Sequence, residues 1–398
     1  MKSTKKVALG IFLFCGWNLF FVAGQASLSA QVAAKQQDPI SAQETEEFVK
    51  QWLAALNSGD RKAGNELIAF KEIIDRAVKS ADVPSKEHRN IAAGALSSIE
   101  GNVVGSLVDV LKSGGSYNLV RVSEKNGAPY ALFRLIDSQG TFNYHLFRIQ
   151  RVRGKIRADQ FLIAKTGEKL GDTLSQNFKD MTRVLTGTLQ EKAKNSKNLE
   201  LYAQYAIAVQ KEDYSKANEI YNKLPEEIKQ FKMARLLHMQ NFQDPDEPGY
   251  VKALDSFIKE YPNDPALAMV LLDSAAIKED VPLLIKAHGM LDQWTGGDDY
   301  LDLLVGAALT NMGKTEKAVE LTKDADPAST NVADAHSYML DIAIAAKDYN
   351  SVLEQLRALR DNHGYVFNDL REVEGLKEFV NSPQFKTWSD ENAAAKEK

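Results

Sequence analysis

"TFNYHLFRIQRVRGKIRADQFLI", Thr141–Ile163, alternates apolar and polar residues on both sides of Arg153-Gly154. Alternation at a period of two marks strands whose side chains point to opposite faces of a sheet. A two-residue break containing glycine between such runs marks a hairpin turn. With Arg153-Gly154 as that turn, Val152 pairs with Lys155, Arg148 faces Asp159 and His145 faces Leu162. Directly opposed residues hold their Cβ atoms about 4.5–5.5 Å apart, so Asp159 most simply satisfies Arg148. A slip of one residue would set Asp159 opposite Phe147 instead. The same stretch concentrates Arg148, Arg151, Arg153 and Arg157. They read as one solvated face of a sheet, or as a patch for a polyanion.

The strand pattern extends upstream. "YNLVRVSE" (117–124) and "APYALFRLIDS" (128–138) are rich in β-branched and aromatic residues, with breaks at Asn126-Gly127 and Gln139-Gly140. Four consecutive strands with short turns make an antiparallel meander. Three helical stretches precede it. The first, from Gln43 to Gly59, carries Phe48, Trp52, Leu53 and Leu56; the second carries Leu67, Ile68, Ile73, Ile74 and Val78; the third runs from Pro84 to Lys112. Helices followed by strands predict an α+β unit. The stretch 43–173 resembles the nuclear transport factor two-like cone fold, in which helices pack on a curved sheet. That resemblance implies a pocket lined by inward strand residues. If Gln139-Gly140 is a two-residue turn, His145 faces Arg134, and a neighbouring cation favours neutral imidazole. His145, Arg134 and Asp159 are therefore the candidate binding residues. The plainer reading, which the sequence favours, makes His145 a polar sheet-face histidine bonded to a neighbour.

After Leu174 the strand pattern stops and helical periodicity continues. "GAALTNMGKTEKAVELTKDA" (306–325) carries Gly306, Gly313, Ala318 and Ala325 at places where two antiparallel helices need small side chains. Equivalent positions fall at Ala217, Ala253, Ala287, Ala318 and Val352, separated by 36, 34, 31 and 34 residues. The spacing and the small residues resemble tetratricopeptide repeats, whose period is about 34 residues. The resemblance covers 198–361, with 174–197 as a connecting helix. In 362–398, Leu376, Phe379, Phe385 and Trp388 are placed to cap the last apolar face. The resemblance implies a groove, lined by the first helix of each pair, that binds protein or peptide segments. The lysine–asparagine clamp of some members has no counterpart in the sharpest unit, where Leu303 and Ala307 stand in those places.

The N-terminus is set apart. Lys2, Lys5 and Lys6 precede an apolar run from Val7 to Gly24, and Gly24-Gln25-Ala26 supplies small residues for cleavage after Ala26. This is the form of a secretory signal peptide over 1–26, with 27–42 as a linker; uncleaved, the segment would contact the membrane. Cleavage takes the formal charge from −5 to −8 and removes Cys15, the sole cysteine. A large exported chain without cysteine fits a bacterial periplasm or secreted space. Its acidity argues against nucleic acid as a partner. The six histidines lack metal-ligand spacing, and no cofactor motif occurs. Lys165-Thr166-Gly167 matches the third element of penicillin-recognising enzymes, but no Ser-Asp-Asn accompanies it, and that reading is rejected.

The expected chain is thus an α+β domain of three helices and a four-stranded antiparallel curved sheet, followed by an all-α tetratricopeptide-like solenoid. It is expected to act as an exported, non-enzymatic scaffold for protein or peptide partners. The alternative is a small-ligand binder or enzyme using the N-terminal cone.

Overall fold

A computed structural model describes residues 39–396, apart from 84, 86, 87, 187, 212, 243–247 and 265. The expected signal segment 1–26, most of the linker and Pro84 lie outside the described residues. The chain forms a mixed α+β protein and divides into two compact units, one running to Ser274 and the other starting at Ala275.

In the first unit four helices precede the sheet: α1 Ala42–Ser58, α2 Arg61–Glu66, α3 Phe70–Ser80 and α4 His88–Lys112. Ser41 and Glu44 close a capping box at the start of α1, and Gly59 ends it in the left-handed region at φ 72°. Such a box satisfies two N–H groups that the first helical turn leaves open. The second expected helix is two. Between α2 and α3 the chain runs extended, and the Ala158 backbone bonds to it on both sides. Ala69 N–H donates to Ala158 O at 2.8 Å, and Ala158 N–H donates to Leu67 O at 2.9 Å. A helix through Leu67–Ala69 would forfeit both bonds.

The sheet has five strands rather than four, in sequential antiparallel order: β1 Ser116–Lys125, β2 Ala128–Ile136, β3 Phe142–Val152, β4 Lys155–Ile163 and β5 Glu168–Lys169. A two-residue strand carries no alternation to read, so β5 has no signature in the sequence. Asn126-Gly127 and Arg153-Gly154 both have positive φ at each position, as a type I′ turn requires. The β2–β3 connection differs from the expected two-residue turn. It spans 137–141, where Asp137 Oδ1 accepts from Gln139 N and Thr141 N at 2.9 Å each. The register therefore slips by one: Phe133, not Arg134, pairs with His145, and Arg134 pairs with Tyr144.

β3 and β4 start as expected, with Val152 opposite Lys155, but a bulge lies beyond Ile149 and Ala158. Arg148 then pairs with Gln160, and Asp159 is the extra residue. Its carboxylate still meets Arg148 in a two-point bond, Nε to Oδ1 at 2.8 Å and Nη2 to Oδ2 at 2.7 Å. Arg76 of α3 also donates to the Asp159 carbonyl.

The central strands β2 and β3 bury residues on both faces of the sheet, while the edge strand β1 is largely open. On one face, Phe147 meets Trp52 edge-on at 5.1 Å and Phe161 at 4.6 Å. Ile99, Val103 and Leu107 of α4 complete that core. By length and composition α4 could cross a membrane, yet these residues are spent on the sheet. The other face presents Leu132, Arg134, Ile136, Phe142 and Tyr144, all buried.

Seven helices of the same unit follow the sheet: α5 Leu170–Thr186, α6 Leu189–Gln210, α7 Tyr214–Lys223, α8 Glu226–Lys229, α9 Lys232–Gln240, α10 Pro248–Glu260 and α11 Leu267–Lys278, the last crossing into the second unit. The division thus falls inside the expected repeat region, not at 173 or 197. The tie is physical: Lys232 of α9 pairs with Asp264 at 2.8 Å and with Glu168 of β5 at 3.6 Å.

The second unit continues with α12 Val281–Thr295, α13 Asp299–Asn311, α14 Thr315–Thr322, α15 Ala333–Ala346, α16 Tyr349–His363 and α17 Pro383–Lys396. Gly306 of α13 is the point of closest approach. A Cβ there would stand 2.6 Å from Thr322 Cγ2 and 2.9 Å from Ile342 Cδ1. Beyond α16, Leu376, Phe379 and Trp388 are buried with Val352 and Leu356, with Phe385 packed beside them. Arg360 lies over the Trp388 ring at 4.9 Å.

Two stability outcomes follow. Asp159→Ala leaves Arg148 half-buried without its carboxylate, and is expected to cost about 3 kcal/mol. Urea unfolding should show a lower midpoint at an unchanged slope. Gly306→Val overpacks the junction of α13, α14 and α15, at about 2 kcal/mol; thermal unfolding reads this as a lower Tm.

Candidate functional site

The three residues singled out from the sequence do not form one site. His145 lies on the helix-covered face of the sheet, beside Phe133 in the register. Arg134 is the next residue along β2 and points to the opposite face, because successive strand side chains alternate. The expected His145–Arg134 juxtaposition fails on that one-residue slip. Asp159 is bound by Arg148 at the bulge.

His145 occupies the aromatic core. It is 4% exposed, with Phe161 edge-on at 5.0 Å and Tyr117 at 5.6 Å. Its ring nitrogens have assigned partners. Asn143 Oδ1 accepts from Tyr144 N at 2.9 Å and Lys165 N at 3.0 Å, which fixes the amide orientation. Asn143 Nδ2 must then donate to His145 Nε2, at 3.3 Å. That leaves the proton on Nδ1, which donates to the Tyr117 hydroxyl at 3.3 Å. Burial pushes the imidazole down to about 3. It also pushes the Tyr117 phenol well above its ordinary value. Both groups are neutral at physiological pH, and each is already bonded within a packed core.

The hairpin arginines are largely committed. Besides Arg148 and Asp159, Arg151 meets Glu44 of α1 at 2.7 Å and Arg153 meets Glu72 of α3 at 2.8 Å. The basic stretch fastens the hairpin to the helices, and three of its four cations have carboxylate partners within the chain.

Sequence reasoning missed a second buried polar group. Lys165, Tyr250 and Asp273 are all buried and line a cavity of about 20 Å³ with Leu236, Met239 and Met269. Such a space holds about one water. Tyr250 donates to Asp273 Oδ2 at 2.6 Å, and burial raises the phenol's pKa. These residues stand far apart in the chain and on three elements, so no local spacing could have revealed them.

A wider concavity lies elsewhere on this unit. A groove of about 1070 Å³ runs along the outer face of α1, bounded by α2 and by the β3–β4 turn. Among the described residues no three His, Cys, Asp or Glu side chains converge as around a metal ion. Comparison with protein-family models, with curated proteins and with solved structures finds no match to this chain.

The His145 environment sets a pH dependence. Its folded pKa lies below the unfolded value of about 6.5, so the unfolded chain takes up the proton first. Stability is full above that value and falls as pH drops toward about 3, with a slope near 1.4 kcal/mol per pH unit. His145→Gln keeps hydrogen-bonding capacity and does not titrate. Urea midpoints measured from pH 7 to pH 4 should fall more steeply for the native chain than for the variant.

Proposed function

We propose that the chain is an exported bacterial interaction protein that binds protein or peptide partners along tetratricopeptide-like helix pairs. One observation supports this reading: four of the five anchor positions inferred from the repeat are fully buried. These are Ala217, Ala287, Ala318 and Val352, on α7, α12, α14 and α16. Ala253 is the exception, with Leu254 and Phe257 buried in its place on α10. The second unit's charge supports a recognition role. Residues 275–398 hold 13 Lys and Arg against 22 Asp and Glu, and such a field favours association with a complementary partner.

Within that unit α15 supplies a candidate contact stripe. Asp334, Tyr338 and Asp341 recur at helical spacing along one face. Burial raises the pKa of both carboxyls and pushes Tyr338 up to about 12. The export reading rests on the signal-like segment and places the protein in the bacterial periplasm or outside the cell. The α+β unit, with helices on one face of a bulged sheet, is compatible with the cone-fold reading. The competing reading, a small-ligand or enzymatic pocket around His145, is weakened by the aromatic packing that fills the space beside the ring.

The test is site-specific photo-crosslinking in the full-length chain, inside the producing cell. A crosslinker at Asp341 on α15 should trap one or a few defined proteins; the same group at Glu354, exposed on α16, should not. Equal adducts from both positions, or none from Asp341, would overturn the proposal.

A further inference from the structure

The groove on the α+β unit has a floor and a rim of different chemistry. Phe48, Ala55, Leu67 and Ile156 give it an apolar base, and the small side chains of Ala54 and Ala63 leave it open. Around this base stand Glu44, Glu47, Asp60 and Glu66, with Lys155 on the hairpin wall.

The four carboxylates are not equivalent. Glu44 is committed to Arg151 at 2.7 Å and to the Ser41 backbone at 3.0 Å. Glu47 accepts only from the neutral amide of Gln51, at 2.7 Å. Asp60 accepts from the Ala63 N–H, at 2.9 Å, as the cap of α2. Neither of these contacts cancels a charge. Glu66 is exposed and has no ion-pair partner among the described residues. Glu47, Asp60 and Glu66 thus line the groove without an ion pair among the described residues, although Lys50, bound to Glu46, lies near enough to Glu47 to feel its charge. Lys155 is the one cation among the lining residues. An apolar floor with a rim of one sign matches an occupant with apolar side chains on one face and positive charges beside them.

Dimensions narrow the occupant further. Lining residues on α1 run from Gln43 to Ser58, which is about 22 Å at 1.5 Å per residue. An extended segment covers that distance with about seven residues at 3.3 Å each. Alternation along such a segment turns apolar side chains down and basic ones toward the rim.

We infer that this groove is a second docking site, which takes an extended segment of a partner protein with alternating basic and apolar residues. It is separate from the helix-pair surface, and does not depend on that reading.

The probe is a fluorescent heptapeptide, acetyl-Lys-Leu-Lys-Ala-Lys-Leu-Lys-amide, titrated by anisotropy against the full-length protein. Its counterpart with glutamate in place of each lysine is titrated alongside. Three variants are compared: Glu47→Lys/Glu66→Lys, Ala54→Trp, and Asp334→Lys/Asp341→Lys on the other unit. The two groove sites and Ala54 are exposed, and circular dichroism and Tm check that the variants fold as the native chain does. The basic peptide should bind and weaken as salt rises. Glu47→Lys/Glu66→Lys and Ala54→Trp should each lower affinity at least about tenfold, by charge reversal and by filling the floor. Asp334→Lys/Asp341→Lys should leave it within about twofold. Equal binding of the glutamate peptide, native-like binding by the groove variants, or loss confined to the α15 variant would overturn the inference. The last result would leave the helix-pair surface as the site of charge recognition.

Discussion

A carboxylate buried within a strand has little water to solvate it, and this constraint organises the first unit. Asp159 sits inside β4 at 4% exposure and is tolerable only because Arg148 grips it at two points and Arg76 closes over it. An isolated buried carboxylate would cost several kcal/mol. The bulge makes the arrangement possible, because the extra residue turns Asp159 toward Arg148 although their backbones are out of register. The same place in β4 is where Ala158 binds the extended link between α2 and α3. One irregularity therefore sets the pairing of β3 with β4, divides the second helix, and ties the helical layer to the sheet.

That geometry also decides which chemistry the hairpin can perform. Its arginines reach out to Glu44, Glu72 and Asp159, so they serve as fasteners between layers. His145 stays neutral in an aromatic core, hydrogen-bonded through Asn143 and Tyr117. The side chains that looked most like an active site are those that hold the sheet to its helices. Surfaces open to a partner include those on α1 and α15, where carboxylates at least partly open to solvent flank apolar or aromatic side chains.

Much of the local structure was legible in the sequence. Period-two alternation placed β1 to β4. Asn126-Gly127 and Arg153-Gly154 placed two turns, because glycine takes positive φ without strain and so marks a tight turn between strands. Phe48, Trp52 and Leu56 placed the buried face of α1. Small residues at Gly306 and Ala318 marked the close contact of α13 with α14. The pairing of Arg148 with Asp159 was also foreseen, though by a register that the bulge then altered.

What the sequence determined alone was set by short-range physics: helical or strand periodicity, caps, turn residues, and the acidity of the second half. Tertiary structure decided the rest. The Asp137 loop moved the β2–β3 register by one residue and sent Arg134 away from His145, and nothing local distinguishes a five-residue loop from a two-residue turn at Gln139-Gly140. The fifth strand, the unit boundary at Ser274 and the Lys165–Tyr250–Asp273 group likewise join residues distant in the chain. Their positions follow from the need to cover two apolar sheet faces and satisfy each buried polar group at once, a condition defined only when the whole unit is folded.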